Sequence, residues 1–227
     1  MASRDSLHKI GMKCGTDKAS THNFCNIYDK ELGHLRDKEI RMLEVGVFFG
    51  ASMKMWAEYF GKGTIHGADT FEGVQGNGRV FEGADKFLKL NKDPRIVLHK
   101  MDQSSDQSLQ DFVDMCVTMD LYFDVIIDDG SHKMYDQQLT LSHLHKLLGP
   151  KGIFIIEDLH SSIQPGHYDL YPDSTNSTLL MLENYQKTKE FTSVYENINF
   201  ESLNQRVTSV KVYADRPHSQ TCIIQMK

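Results

Sequence analysis

The sequence predicts an α/β fold: a doubly wound, mostly parallel sheet of seven strands with an antiparallel C-terminal hairpin. Three observations carry that expectation. Short apolar runs alternate with stretches of helical spacing along most of the chain. Two of those runs, FDVIID and GIFIIED, end abruptly at carboxylates. The final stretch changes to two runs of period two, the pattern of a hairpin.

In order along the chain, the first ~35 residues read as a helical N-terminal lid (1–35) on a core of 36–227. IRMLEVGV (40–47) is the first strand, and ASMKMWAEYF (51–60), with Met53, Trp56 and Phe60 near helical spacing, is the helix after it. TIHGAD (64–69) is the second strand, DKFLKL (85–90) a helix and RIVLHKMD (95–102) the third strand. SLQDFVDMCVTM (108–119) is helical and FDVIID (123–128) is strand four. YDQQLTLSHLHKLL (135–148) reads as a helix stopped by Gly149-Pro150, with GIFIIED (152–158) as strand five. A helix over 176–191 follows. RVTSVKVYAD (206–215) and SQTCIIQMK (219–227), joined by Arg216-Pro217-His218, form the hairpin. With no internal repeat, linker or low-complexity tract, 1–227 reads as one domain.

Bulk properties narrow the function. At 227 residues the chain can bury a substantial core. A net charge of −6 without a basic cluster argues against nucleic acid as a partner. No apolar run approaches a membrane span, and MASRDSLHKI lacks the apolar core of a signal peptide, so a cytoplasmic protein is expected. Cys14, Cys25, Cys116 and Cys222 show neither metal-ligand spacing nor a disulfide framework, so reduced thiols are expected. Homo-oligomerisation is left open.

Ligands of an open parallel sheet sit beyond the strand C-termini, so the residues there matter most. Strand one ends in LEVGVFFG. Gly46 and Gly50 allow a tight turn and a close backbone approach to a ligand. The spacing is E-x-G-x-x-x-G, which disfavours a dinucleotide oxidoreductase. Glu44, an acid within an apolar strand, needs a donor: an amine-bearing ligand, or an internal ion pair. Asp69 ends strand two, 19 residues after Gly50, where an acid accepts hydrogen bonds from a nucleoside ribose. After strand three, Asp102 or Gln103 could read an adenine amino group or serve only at a helix cap.

Together LEVGVFFG, GADTFEG, MDQSSD and IIDDGSH resemble the class I S-adenosylmethionine-dependent methyltransferases, whose core is Rossmann-like. With GTDK (15–18) and IIEDLHSS added, the chain resembles the metal-dependent deoxysugar O-methyltransferases of macrolide biosynthesis from about Gly11 to His160. More loosely it resembles rhamnose O-methyltransferase domains of large algal viruses. The resemblance implies S-adenosylmethionine as methyl donor and a sugar or glycan as small-molecule acceptor. It also implies that His132, matching the family's histidine, is the general base. Thr16 or Asp17 of GTDK would contact the donor from the lid, or cap a helix.

Asp129 and Glu157 lie 28 residues apart, one strand–helix–strand unit, so Asp129, Glu157 and Asp158 can converge on one hard cation. Three carboxylates suit Mg2+ or Mn2+ better than zinc. Asp128 would face the donor's amino group or act as a cap. His132 could instead cap the helix after it, and Glu157-Asp158 the turn after them. His160 and Tyr168 line the acceptor pocket or belong to a surface loop. His143 and His145 point to different helix faces and form no metal pair. Where the family continues with an aromatic residue, this chain has Ser161-Ser162-Ile163-Gln164-Pro165, which leaves the acceptor open. Methylation of a catechol or other phenolic diol, and a non-catalytic donor-binding scaffold, are the competing functions.

Overall fold

A computed structural model describes residues 4–72, 92–161, 177–215 and 219–227. Its sheet is seven-stranded and mixed, mostly parallel, with antiparallel C-terminal strands, as the alternating pattern predicts. The expected helix 85–90 and the turn Arg216-Pro217-His218 lie outside the described residues. The chain divides into two compact units, Met1–Lys100 and Met101–Lys227.

The first unit opens with α1 (Leu7–Cys14), α2 (Asp17–Ser20) and α3 (Phe24–Leu32). Ser6 caps α1, accepting from the Lys9 amide at 3.3 Å, and Gly15 in the left-handed region ends it. Three parallel strands follow, β1 (Arg41–Val45), β2 (Thr64–Asp69) and β3 (Ile96–Lys100), ordered β3-β2-β1. The helix α4 (Ala51–Tyr59) joins β1 to β2 and receives α1 along its side. Trp56 of α4 is fully buried among Tyr28, Tyr59 and Phe60, and Leu7, Ile10, Phe24 and Leu32 are buried as well. Burying a large aliphatic or aromatic side chain contributes ~1.5–3 kcal/mol, so the N-terminal helices are integral to this unit's core.

The second unit holds α5 (Asp106–Thr118), β4 (Phe123–Asp128), α6 (Met134–Leu144), β5 (Leu148–Ile156), α7 (Thr178–Thr188), α8 (Glu201–Arg206), β6 (Val207–Tyr213) and β7 (Thr221–Met226). Its strands run β4-β5-β7-β6, with β4 and β5 parallel and β7 antiparallel to both neighbours. One boundary departs from expectation. The helix before Gly149-Pro150 stops at Leu144, a 3-10 turn covers His145–Leu147, and β5 already begins at Leu148. Leu148 pairs with Phe123, and the register then shifts so that Val125 meets Ile153. That irregularity lets the strand carry a proline and Lys151 at φ 60°. α8 lies in a stretch where the sequence pattern predicts no helix.

Candidate active site

The first unit presents the strand ends of β1 and β2. Gly46 takes φ 90° and Gly50 φ 71°, both in the left-handed region that glycine enters without penalty. The Gly46 N–H donates to the Ala68 carbonyl at 2.9 Å, so the turn leaves β1 while still tied to β2. Asp69 completes the connection. Its Oδ2 accepts from the Val47 N–H at 2.8 Å and the Phe48 N–H at 3.3 Å, and its Oδ1 accepts from the Phe71 N–H at 2.9 Å. Asp69 remains partly exposed, so a carboxylate fixed by backbone amides stands at the strand ends.

Glu44 is fully buried. Lys18 Nζ lies 3.2 Å from its Oε1, and the Ser52 hydroxyl donates to its Oε2 at 2.8 Å. The GTDK segment therefore contributes its lysine, a residue sequence reasoning passed over. The signal was present: an acid in an apolar strand needs a buried cation or donor. Thr16 caps α2, its hydroxyl accepting from the Lys18 N–H at 3.4 Å, and Asp17 is exposed in the first turn.

In the second unit, Asp102 accepts from the Ser104 N–H at 2.9 Å and the Ser104 hydroxyl at 2.7 Å, forming the turn before α5. Gln103 is buried and engaged at both ends of its amide. Its Nε2 donates to Asp128 Oδ1 and to the Thr140 hydroxyl, each at 3.1 Å, and its Oε1 accepts from the Ser131 N–H. A Cβ at Gly130 would meet Gln103 Oε1 at 1.7 Å, so only glycine lets the amide cross there. Burial pushes the Asp128 carboxyl up to about 7, against the hydrogen bond from Gln103.

Asp129 and His132 stand in the loop after β4, and Asp158 in the loop after β5. One ligand atom from each lies within 4.8 Å of the others. His132 Nε2 is 3.6 Å from Asp158 Oδ2. Both residues take left-handed backbone, His132 at φ 60° and Asp158 at φ 53°. Glu157 is buried and outside this trio: the expected set is Asp129, Glu157 and Asp158, and the ligand atoms near one another are those of Asp129, Asp158 and the His132 imidazole. The two carboxylates suit a hard cation such as Mg2+ or Mn2+, whereas the imidazole nitrogen is a donor better suited to a first-row transition metal. His160 is buried, and its Nδ1 accepts from the Gln220 N–H at 3.4 Å. His143 and His145 have separate partners, Asp106 at 3.0 Å and Ser202 at 3.1 Å, as their spacing predicts. Ser162, Ile163, Gln164, Pro165 and Tyr168 lie outside the described residues.

Buried imidazoles away from these strand ends predict an acid-sensitive fold. Burial lowers His66 to about 4, aided by stacked His99, whose Nε2 is 2.9 Å from His66 Nδ1. Burial and then Arg206 lower His145 to about 3. A base with a depressed folded pKa contributes stability above its unfolded value of ~6.5 and loses it as pH falls toward the folded value. Asp128, raised to about 7, and Asp136, also raised by burial, work in the opposite direction, whereas His99, lowered by burial, joins the two imidazoles, so three groups stand against two. The urea midpoint should therefore fall between pH 7.5 and pH 5; a flat or rising midpoint would contradict the assignment of these imidazoles as buried and neutral.

Residues 43–159 match a family model described as a methyltransferase domain. The 8-demethyl-8-alpha-L-rhamnosyl tetracenomycin-C 2'-O-methyltransferase of Streptomyces olivaceus is 29% identical over 184 residues, covering 78% of this chain and 44% of the relative. The L-olivosyl-oleandolide 3-O-methyltransferase of Streptomyces antibioticus is 29% identical over 169 residues, covering 71% of this chain and 39% of the relative. Among solved structures, the MycE methyltransferase of the mycinamycin biosynthetic pathway, in complex with Mg, SAH and mycinamycin VI, superposes with a TM-score of 0.74 at 20% identity. That match covers 99% of this chain and 55% of the other. The chain thus spans less than half the length of these two curated relatives. Among the described residues, no helix is long and apolar enough to cross a membrane.

Proposed function

Because the chain belongs to this methyltransferase-domain family, matched over 43–159, we propose that it transfers a methyl group from S-adenosylmethionine to a deoxysugar hydroxyl with the help of a divalent cation. The observation that carries the reading is the trio Asp129, His132 and Asp158 at the ends of two parallel strands. The relatives' names, which specify rhamnosyl and olivosyl hydroxyls, support the acceptor class, and rhamnose is the first choice.

On this reading Asp69 and the Gly46–Gly50 turn bind the donor, Asp69 through the ribose hydroxyls. The donor supplies the sulfonium methyl. Asp129 and Asp158 would hold the cation, Mg2+ or Mn2+. When bound, the cation would supply Lewis-acid chemistry to the acceptor diol, lowering the pKa of the hydroxyl to be methylated. His132 accepts that hydroxyl's proton at Nε2, the nitrogen facing Asp158. A sugar alcohol has a pKa far above neutrality, so its methylation asks for both a cation and a base. A catechol, already more acidic, leans less on the base.

The test is mass spectrometry of an acceptor panel incubated with S-adenosylmethionine and Mg2+ or Mn2+. A rhamnoside with free vicinal hydroxyls should gain a methyl group. Blocking the neighbouring hydroxyl should abolish transfer, because bidentate binding is lost. EDTA should stop turnover yet leave donor affinity, measured by calorimetry, unchanged. Full activity in rigorously metal-free protein would refute the cation's role, and preference for catechols would move the acceptor to phenolic diols.

A further inference from the structure

The trio depends on two loops that carry no regular secondary structure where they meet, and each holds a residue in an unfavourable backbone region. His132 at φ 60° and Asp158 at φ 53° are non-glycine residues in left-handed conformation. Such residues persist where their surroundings over-determine them. The question is what fixes one loop relative to the other.

On its N-terminal side, His132 is held through Ser131. The Ser131 N–H donates to Gln103 Oε1, its hydroxyl donates to Asp136 Oδ2 at 2.6 Å, and its Oγ accepts from the Lys133 N–H at 3.2 Å. These bonds anchor the β4 loop to its own neighbours. Two bonds cross to the β5 side: the Glu157 N–H donates to the Asp128 carbonyl at 2.9 Å and, at His132 itself, the Ser161 hydroxyl donates to the His132 carbonyl at 2.9 Å. The same residue's N–H donates to the Asp158 carbonyl at 3.0 Å. Ser161 is 4% exposed, so water competes poorly for either bond. One side chain and one amide thus tie together the peptide groups of two residues whose side chains must meet.

We propose that Ser161 is a positioning residue: it bridges His132 to Asp158 and so sets the separation of the imidazole and carboxylate of the trio. The proposal rests on reading that trio as the cation and base site. Hydrogen-bond partners behind a metal site commonly govern affinity, although they touch neither metal nor substrate. Serine suits the task because its hydroxyl reaches a carbonyl at short range and occupies little volume.

The experiment measures Mn2+ binding by electron paramagnetic resonance on the full chain, with methyl transfer, donor affinity and melting temperature in parallel. Ser161→Ala should weaken Mn2+ by ~10–100-fold and lower kcat, while donor affinity and melting temperature hold. Ser161→Thr, which keeps the hydroxyl, should recover most of the Mn2+ affinity. If the alanine variant does not fold, Ser161→Cys, close in size with a far weaker donor, gives the same readout. Wild-type Mn2+ affinity in a folded variant lacking the hydroxyl would overturn the proposal. So would a parallel loss of donor binding, melting temperature and Mn2+, which marks a merely structural role. Wild-type protein that binds no Mn2+ would instead bring down the reading of the trio itself.

Discussion

Replacing His132 with alanine should lower kcat by ~10²–10⁴, the range expected when a general base is removed, and leave the fold nearly as stable as before. The structure removes the capping alternative for this side chain. Helix α6 begins at Met134, its N-cap is Lys133, and no side chain caps it. His132 Nδ1 has no hydrogen-bond partner among the described residues, so truncation severs no hydrogen bond at that atom. The backbone conformation adds little, because histidine already carries the left-handed strain at φ 60° that alanine would carry. His132→Asn is the companion variant, since asparagine tolerates left-handed backbone. Both should be slow, with the asparagine variant the more stable. Because the imidazole stands in the trio where Glu157 was expected, it could serve as ligand instead of base. Mn2+ affinity separates the roles, staying constant for a base and falling with kcat for a ligand. A kcat within a few-fold of wild type would remove His132 from the chemistry.

How far the sequence reaches depends on whether a feature is local. The strand cores were legible because Val125, Ile126 and Ile127, or Ile153 to Ile156, form apolar runs that can only be buried. The hairpin strands were legible from period two. The start of β5 was not, because Leu148 joins the sheet through pairing with Phe123, a contact distant in sequence that overrides the stop signal of Gly149-Pro150. The trio was partly legible. Spacing brought Asp129 and Asp158 together, but backbone at Asp158 and His132 turns into a region that sequence patterns do not announce for these residue types. Gln103 shows the same limit: its place at a strand end suggests a contact with adenine, and its hydrogen bonds to Asp128, Thr140 and Ser131 join partners too distant in sequence to be read there. Lys18 was overlooked because its partner, Glu44, is 26 positions away and on another element.

That pair supports the other large expected effect. Lys18→Met should destabilise the fold by ~3–5 kcal/mol, a large share of the ~5–15 kcal/mol available to a typical domain. Lys18 is 1% exposed and Glu44 is 0% exposed, so neither charge can turn to water when its partner goes. Removing the ammonium leaves a buried carboxylate with the Ser52 hydroxyl and without its cation. The cost comes from desolvation left uncompensated, not from the attraction itself. The double variant Lys18→Met, Glu44→Leu should therefore regain most of the loss, since two apolar side chains leave no charge to solvate. Urea denaturation of the four proteins gives the coupling directly. If the losses simply add, the pair is not interacting as its geometry requires. The same double variant addresses donor binding. With stability restored, unchanged affinity for S-adenosylmethionine would make Glu44 a purely structural acid. Affinity lost in a stable protein would mean that the ion pair holds the carboxylate, and the turn at Gly46 beyond it, in the form the donor needs.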